Sequence, residues 1–161
     1  MAQAPKSVMS LSGAVFVIAT ATILAALAFQ YIGGYVPCAL CLEERYAYYF
    51  AIPAALAAWF AARVGAIGGA RVLLVLIALA FLFNVGLGVY HAGIEWKWWT
   101  GPQACAGGFE LAWGEGGIVE TPVIRCDEAQ WRLLGLSFAG WNAVMSAILA
   151  FLAIFGATRR S

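Results

Sequence analysis

The sequence has few charged residues, one histidine and four cysteines, and the shortage of charge excludes two classes of protein. Charged residues make up 11% of the 161 positions, against about 25% in an ordinary soluble domain. Because 64% of the residues are hydrophobic, a compact soluble fold of this length would expose too much apolar surface. The same composition excludes a disordered chain, and the net charge of +1 gives no basic field for nucleic acid. The remaining environment is a lipid bilayer.

Four long apolar runs predict an all-α integral membrane protein. An apolar run of about 20 residues satisfies its own backbone hydrogen bonds as a membrane-spanning helix. We predict a four-helix bundle that forms one membrane domain over residues 1–161, with spans at about 11–32, 46–62, 72–90 and 138–157. The first run is longer than the core of a signal peptide, so we expect it to be retained. Pro53 is expected to kink the second span or to be accommodated by neighbouring helices.

Lysine and arginine predict the orientation of the spans. One side carries five cations and no acidic residue, and these cations are Lys6, Arg63, Arg71, Arg159 and Arg160. Positive charge marks the cytoplasmic side, so we expect both termini there, with a short loop at about 33–45 and a long loop at about 91–137 outside. The four cysteines then lie on the outer side, which in a bacterium is the periplasm, where disulfides persist.

The long loop contains two further patterns. The stretch Ala106–Gly117 is rich in glycine, and we expect it to be mobile. Trp131, Leu134 and Phe138 follow at helical spacing, which predicts a short amphipathic helix before the fourth span.

The first cysteine pair, Cys38 and Cys41, has two residues between its members. Thioredoxin-type redox pairs and zinc sites both use this spacing. We expect the two thiols on the first turn of a helix, with Pro37 at the first helical position, where its missing N–H has no consequence. The positive end of that helix would favour a thiolate.

Arg45 lies four residues after Cys41 and is expected to share its helix face. In one interpretation Arg45 snorkels at the membrane boundary and pairs with Glu43 or Glu44. In the other, its guanidinium binds a polar or anionic ligand beside the thiols. The residue types alone do not decide between them.

The second pair, Cys105 and Cys126, lies in the long loop. A disulfide that staples the loop would stabilise the fold by roughly 3 kcal/mol. An exposed disulfide would be open to attack by the thiolate of another protein. A zinc site of all four thiols is the weakest interpretation, because structural zinc sites usually bring their ligands as two close pairs, and we predict no metal.

His91 is the only histidine, and no motif around it indicates a serine or cysteine hydrolase. It is expected either to pack with one hydrogen bond or to line a pocket with Cys38–Arg45, which lies at the same membrane depth. Asn84 and Asn142 lie inside spans and predict hydrogen bonds between helices.

Three segments resemble the DsbB family of bacterial disulfide bond formation proteins. The segment Pro37–Arg45 is similar to the P-C-x-L-C-x-x-x-R signature of that family. Cys126–Leu136 is similar to a loop stretch with a C-x-E-x-Q-W core, although its acidic residues are shifted, and Gly88–Trp96 resembles a run found in many members. The likeness covers most of the chain.

The resemblance implies that the protein is an enzyme, a thiol:quinone oxidoreductase of the bacterial inner membrane. It implies that Cys105 forms a mixed disulfide with a DsbA-like periplasmic oxidase of thioredoxin fold, with Cys126 as its mate. Electrons would then pass to Cys38–Cys41. The partner is a strong oxidant, at about −120 mV, so its oxidation needs a stronger terminal acceptor than a thiol.

The same resemblance implies a quinone, ubiquinone or menaquinone, as that acceptor. Cys41 would lie beside the quinone ring, Arg45 would polarise a quinone oxygen and His91 would line the same site. A quinone is apolar and lives in the bilayer, so its site should lie at the membrane edge of the helices.

Three other functions remain open. An enzyme similar to vitamin K epoxide reductase also combines four helices, two cysteine pairs and a quinone, but its close pair comes after the loop pair. A structural membrane subunit would use its disulfides only to staple loops, and loss of Cys38 or Cys41 would then affect only stability. A metal transporter needs polar residues along its spans, and few are present here.

Overall fold

The computed structural model describes residues 6–105, 109–114, 117–122 and 124–159, with only the backbone described for residue 104 and for the first two strands. The described chain is mostly helical. The helices are α1 (Lys6–Tyr31), α2 (Ala39–Glu43), α3 (Tyr46–Arg63), α4 (Ile67–Glu95) and α5 (Phe138–Thr158). Between α4 and α5 lie a 3₁₀ turn (Gln103–Cys105) and four short strands, β1 (Phe109–Gly114), β2 (Gly117–Pro122), β3 (Arg132–Leu133) and β4 (Leu136–Ser137).

Three helices, α1, α4 and α5, are long and apolar enough to cross a membrane. Helix α3 coincides with the second predicted span and continues through Pro53. Helix α3 is not among those three helices, so the prediction that it crosses the membrane stays a prediction. Helix α4 extends to Glu95, and His91 therefore lies on this helix and not at the start of the long loop.

The long helices pack through small side chains. Helix α1 contacts α3 and α5, and α4 contacts the same two helices. The buried face of α3 is built from alanines, among them Ala51, Ala55, Ala58 and Ala62. Small residues let membrane helices approach closely where no hydrophobic force drives them together. Large apolar side chains such as Phe83 and Phe151 are exposed instead, which suits a lipid-facing surface.

A buried polar cluster links α3, α4 and α5. The hydroxyl of Tyr48 donates to Oδ1 of Asn142 over 2.9 Å, and Nδ2 of Asn84 donates to Oγ of Ser146 over 2.9 Å. Asn84 also contacts Oδ1 of Asn142 at 3.3 Å. The predicted hydrogen bonds between helices at Asn84 and Asn142 are thus confirmed.

A hairpin stands where the amphipathic helix was predicted, and that prediction is wrong. Strands β3 and β4 pair antiparallel, and the two residues between them, Leu134 and Gly135, have φ angles of 52° and 83°. Two successive residues of positive φ form the tight turn of a hairpin, and a right-handed helix cannot pass through them. The ring of Trp131 stacks on Phe138 at 4.7 Å, whereas Leu134 is exposed.

A second hairpin lies in the glycine-rich part of the long loop. Strands β1 and β2 pair antiparallel, from the pair of Phe109 with Pro122 to the pair of Gly114 with Gly117. The sequence pattern predicted neither strand. The predicted mobile segment also includes Gly107, Gly108 and Gly116, which lie outside the described residues.

Candidate active site

The first cysteine pair stands at the beginning of α2. Cys38 is the N-cap residue, and its Sγ accepts a hydrogen bond from the backbone N–H of Cys41 over 3.3 Å. Pro37 therefore precedes the cap, and the prediction that it occupies the first helical position is wrong. Both thiols are free, and Cys38 is 3% exposed.

The two thiols differ in acidity. Hydrogen bonds from the side chain and then the backbone of Cys41 hold the pKa of the Cys38 thiol below its usual value, although burial opposes them. The pKa of the Cys41 thiol is raised, because this group donates to the sulfur of Cys38 and is itself buried. The first proton therefore leaves Cys38, the cap residue, more readily than Cys41.

His91 and Glu44 extend this pair into a chain of three side chains. Nε2 of His91 lies 3.6 Å from Sγ of Cys38, and Nδ1 of His91 lies 2.8 Å from Oε1 of Glu44. His91 and Glu44 are 2% and 6% exposed. Burial raises the pKa of the Glu44 carboxyl, and the hydrogen bond with His91 opposes that rise.

Sequence reasoning considered Glu44 only as a partner for Arg45 and so missed its contact with His91. The sequence signal for this contact is membrane depth, because Glu44 and His91 both border the outer ends of predicted spans. An acidic side chain at that depth needs a partner, and His91 is the only histidine in the sequence.

Arg45 binds Gln30, a contact that the sequence pattern did not predict. Helix α2 ends at Glu43 and Arg45 is the N-cap of α3, so Arg45 and Cys41 do not share a helix face. Its Nη1 donates to Oε1 of Gln30 on α1 over 2.6 Å. In the part of the chain that the structure describes, Arg45 pairs with neither Glu43 nor Glu44. The sequence does contain one signal for this contact, because Gln30 is the only amide side chain in the apolar helix α1.

A cavity of about 350 Å³ opens beside these residues. Its polar wall includes Gln30, Cys38, Cys41, Glu44, Arg45, His91, Glu95 and Asn142. Its apolar wall includes Ile23, Ala25, Ala26, Phe29, Tyr35, Trp131, Phe138 and Met145. The cavity thus lies between α1 and α5 and reaches both thiols of the first pair.

The second cysteine pair is a disulfide, Cys105–Cys126. Its residues are 2% and 1% exposed. Of the two interpretations of this pair, the disulfide that staples the loop therefore fits the structure, and the exposed disulfide does not. The disulfide packs in one apolar cluster with Cys38, Leu40 and Ile94, and Cys41 packs against that cluster. The structure therefore brings all four cysteines together, although Cys105 and Cys126 do not line the cavity.

The sulfurs of Cys38 and Cys41 and a ring nitrogen of His91 lie within 4.8 Å of one another. The hydrogen bond between the two thiols and the contact of Cys38 with His91 account for this grouping. The predicted alternative of a zinc site with four thiolates is not formed, because two of the sulfurs are joined in the disulfide.

A charged cluster holds the chain next to Cys126. Arg125 donates to both carboxylate oxygens of Asp127, over 2.9 and 2.8 Å. Lys97 pairs with the same carboxylate and donates to the backbone oxygen of Asp127 over 2.9 Å. Hydrogen bonds from Arg125 first and Lys97 second hold the pKa of Asp127 well below its usual value.

Comparisons with known proteins show which family the chain belongs to. The family model described as disulfide bond formation protein DsbB matches residues 9–156. Disulfide bond formation protein B of Polaromonas naphthalenivorans is 30% identical over 78% of this chain and 76% of the relative. The protein of that name in Marinobacter nauticus is 29% identical over 92% of this chain and 90% of the relative. No solved structure matches the chain at a comparable level of significance. The chain therefore belongs to the DsbB family of disulfide bond formation proteins, and its role is that of an oxidoreductase in disulfide formation.

Proposed function

We propose that this protein is a thiol:quinone oxidoreductase that oxidises a DsbA-like periplasmic oxidase and passes the electrons to a membrane quinone. One observation carries the proposal: the free pair Cys38–Cys41 packs against the Cys105–Cys126 disulfide and also lines a cavity at the edge of the long helices. The two cysteine pairs thus stand in series between the long loop and a ligand-sized cavity.

The electron path consists of two disulfide exchanges. A thiolate of the reduced partner attacks Cys105, and Cys126 leaves as a thiol, so that resolution of the mixed disulfide oxidises the partner and reduces the loop pair. The loop pair then reduces the Cys38–Cys41 disulfide in the same way. Each exchange transfers two electrons and two protons as thiol hydrogens. Because Cys105 is buried, the chain around it must move before a partner can reach the sulfur.

The cavity fits a quinone by size and by its donors. Its volume of about 350 Å³ falls in the lower part of the range of roughly 300–1,000 Å³ for small-molecule sites. Nδ2 of Asn142, a cavity-lining residue, is buried close to the Glu44 carboxyl and makes no hydrogen bond of ordinary geometry among the described residues. Arg45 supplies a second donor, held in place by Gln30. A bound quinone would supply an acceptor of two electrons and two protons.

Each cavity residue then has a definite task. Cys41 presents its sulfur to the cavity, and Arg45 directs positive charge at a carbonyl oxygen there. His91 lies on the same wall and contacts Cys38. The apolar wall excludes water from the thiols, which protects the oxidised pair from side reactions.

We also propose the membrane arrangement that the charges predict. Helix α3 would cross the bilayer together with α1, α4 and α5, which gives a single four-helix domain in the inner membrane. Both termini would be cytoplasmic, and the loops at about 33–45 and 91–137 would be periplasmic. The exposed apolar side chains of these helices and the position of the basic residues support this arrangement.

The test measures reduction of a short-chain quinone by the purified protein, supplied with a reduced thioredoxin-fold oxidase. We expect wild-type protein to reduce the quinone and Cys41→Ser to lose the activity by at least about 100-fold, because nucleophilic thiolate chemistry has no substitute at this position. Leu42→Ser is the matched control, since Leu42 is exposed on the same turn. Equal rates for Cys41→Ser and wild type, or no reduction by well-folded wild type, would overturn the proposal and favour a structural subunit.

A further inference from the structure

We infer that the proton of the Cys38 thiol passes through His91 to Glu44, and that Glu44 positions His91 for this transfer. The inference rests on the proposed oxidation of Cys38–Cys41 and adds a route for one of the two protons. It is carried by a continuous buried chain that runs from Sγ of Cys38 through both ring nitrogens of His91 to the carboxylate of Glu44.

The geometry leaves each ring nitrogen of His91 with one partner. Nδ1 lies 2.8 Å from Oε1 of Glu44, and Nε2 lies 3.6 Å from Sγ of Cys38. These residues come from two parts of the fold, since Cys38 and Glu44 are the N-cap and C-cap of α2 and His91 lies on α4. A carboxylate behind Nδ1 fixes which ring nitrogen carries the proton and how the ring is turned.

Burial favours such a route, because little of the Cys38 side chain is exposed. Cys38, Glu44 and His91 are 3%, 6% and 2% exposed, so bulk water cannot readily take the thiol proton. Closure of the Cys38–Cys41 disulfide releases two electrons and two protons. A sulfur that attacks the neighbouring sulfur must first lose its own proton.

The transfer balances in atoms and charge. The S–H bond of Cys38 breaks, and its proton binds Nε2 of His91. The proton on Nδ1 moves to the carboxylate of Glu44, and the imidazole stays neutral with its proton on the other nitrogen. The electron pair left on Cys38 forms the S–S bond, and the two electrons of the thiol pair leave to the quinone acceptor. Glu44 also lines the cavity, so its carboxyl group can release the proton there.

The pKa shifts at the two ends reduce the free-energy cost of this transfer. Hydrogen bonds to Cys38 hold its thiol pKa below the usual value, and burial holds the pKa of the Glu44 carboxyl above it. Other titratable or charged groups near this chain include Cys41, Arg45, Tyr48 and Glu95.

The first experiment reads the tautomer of His91 in quinone-free protein. His91 is the only histidine, so ¹⁵N-histidine labelling with a purification tag free of histidine gives signals from this ring alone. At pH 8, with chelator present, we expect the proton on Nδ1 when Cys38–Cys41 is oxidised, because the ionised Glu44 carboxylate accepts a hydrogen bond from that nitrogen. In the reduced protein at this pH the Cys38 proton has already moved along the chain, so we expect the ring proton on Nε2, where it faces the Cys38 thiolate. Glu44→Gln should hold the proton on Nε2 in both forms, because its amide can donate to Nδ1. Glu43→Gln, the exposed neighbour, should behave as wild type. The same tautomer in both redox forms of the wild type would overturn the inference.

The second experiment measures quinone reduction between pH 5.5 and 9. We expect Glu44→Gln to lower the rate at least about tenfold and Glu44→Asp to recover part of it. A loss smaller than the roughly 10²–10⁴-fold known for groups that take the proton directly is expected, because Glu44 acts on the thiol through His91. If wild type reduces quinone and Glu44→Gln keeps both the wild-type rate and the wild-type pH profile, the relay is refuted while the proposed function stands. If wild type reduces no quinone, the proposed function fails, and the tautomer measurement still decides the contact between His91 and Glu44.

Discussion

Arg45 is tied to Gln30 by a hydrogen bond of 2.6 Å between Nη1 and Oε1. This contact joins the start of α3 to the end of α1 and holds the guanidinium at the wall of the cavity. A long flexible side chain that is fixed in this way loses less entropy when it binds a ligand oxygen.

The first prediction concerns this contact. Gln30→Leu removes the acceptor for Arg45 but keeps a side chain of similar size. We expect KM for the quinone to rise about tenfold while kcat changes less, because Arg45 is retained but no longer held in position. Steady-state quinone reduction measures both constants. Gln103→Leu is the control, since Gln103 is exposed in the 3₁₀ turn. An unchanged KM in Gln30→Leu would contradict the role given to the contact.

The second prediction concerns access to the buried disulfide. Ile94 is 1% exposed and packs against Cys105, so Ile94→Ala leaves a void beside the disulfide. We expect dithiothreitol to reduce Cys105–Cys126 at least about tenfold faster in the variant, which corresponds to about 1.4 kcal/mol in the free energy of local opening.

Alkylation followed by mass spectrometry gives the rate of that reduction. Ile148→Ala is the matched control, because Ile148 is half-exposed on α5. Equal rates in Ile94→Ala and wild type would show that packing around Ile94 does not limit access to the sulfurs.

The third prediction concerns the polar cluster between the helices. Tyr48→Phe removes the hydroxyl that donates to Asn142. Hydrogen bonds between membrane helices contribute about 0.6 kcal/mol on average and about 1.7 kcal/mol at most. We therefore expect the free energy of unfolding in mixed detergent micelles to fall by about 1 kcal/mol.

Tyr49→Phe should leave the same free energy within error, because Tyr49 is 48% exposed. A loss of equal size in both variants would show that the effect does not come from the hydrogen bond of the Tyr48 hydroxyl.

The fourth prediction is a pH dependence at Asp127. A carboxyl group whose pKa is lower in the folded protein stabilises the fold above its unfolded pKa, and this contribution is lost as the pH falls through the folded pKa. Asp127 has an ordinary pKa of 3.8 and a lower one here. Because it lies near the surface, the effect should be below about 1 kcal/mol, or about fivefold in a rate.

The measurement is reduction of Cys105–Cys126 by a phosphine, which works in acid. We expect Asp127→Asn to be reduced faster than wild type at pH 6 and the ratio of the two rates to approach one towards pH 2. Glu128→Gln, whose contact with Arg125 is 3.4 Å long, should give a ratio near one throughout. A ratio for Asp127→Asn that does not change with pH would contradict the assignment.

The sequence predicted the positions of the long helices well and the structure of the long loop poorly. An apolar run of membrane length has few alternatives to a helix, and α3 and α5 begin at the residues where the predicted spans begin. In the loop, Trp131, Leu134 and Phe138 fitted helical spacing, but three residues are a weak periodic signal. The positive φ angles at Leu134 and Gly135 depend on the pairing of β3 with β4, which the spacing does not encode.

The sequence by itself determined the family, the apolar helices and the close spacing of Cys38 and Cys41, because each of these depends on residues that are near one another in the chain. The tertiary structure alone decided which distant residues meet: Glu44 with His91, Arg45 with Gln30, and Cys38 with the Cys105–Cys126 disulfide. Helices that are apolar on every side give no periodic signal of which face turns inward. The rotation of each helix, and so the composition of the cavity wall, is therefore fixed by packing between small side chains.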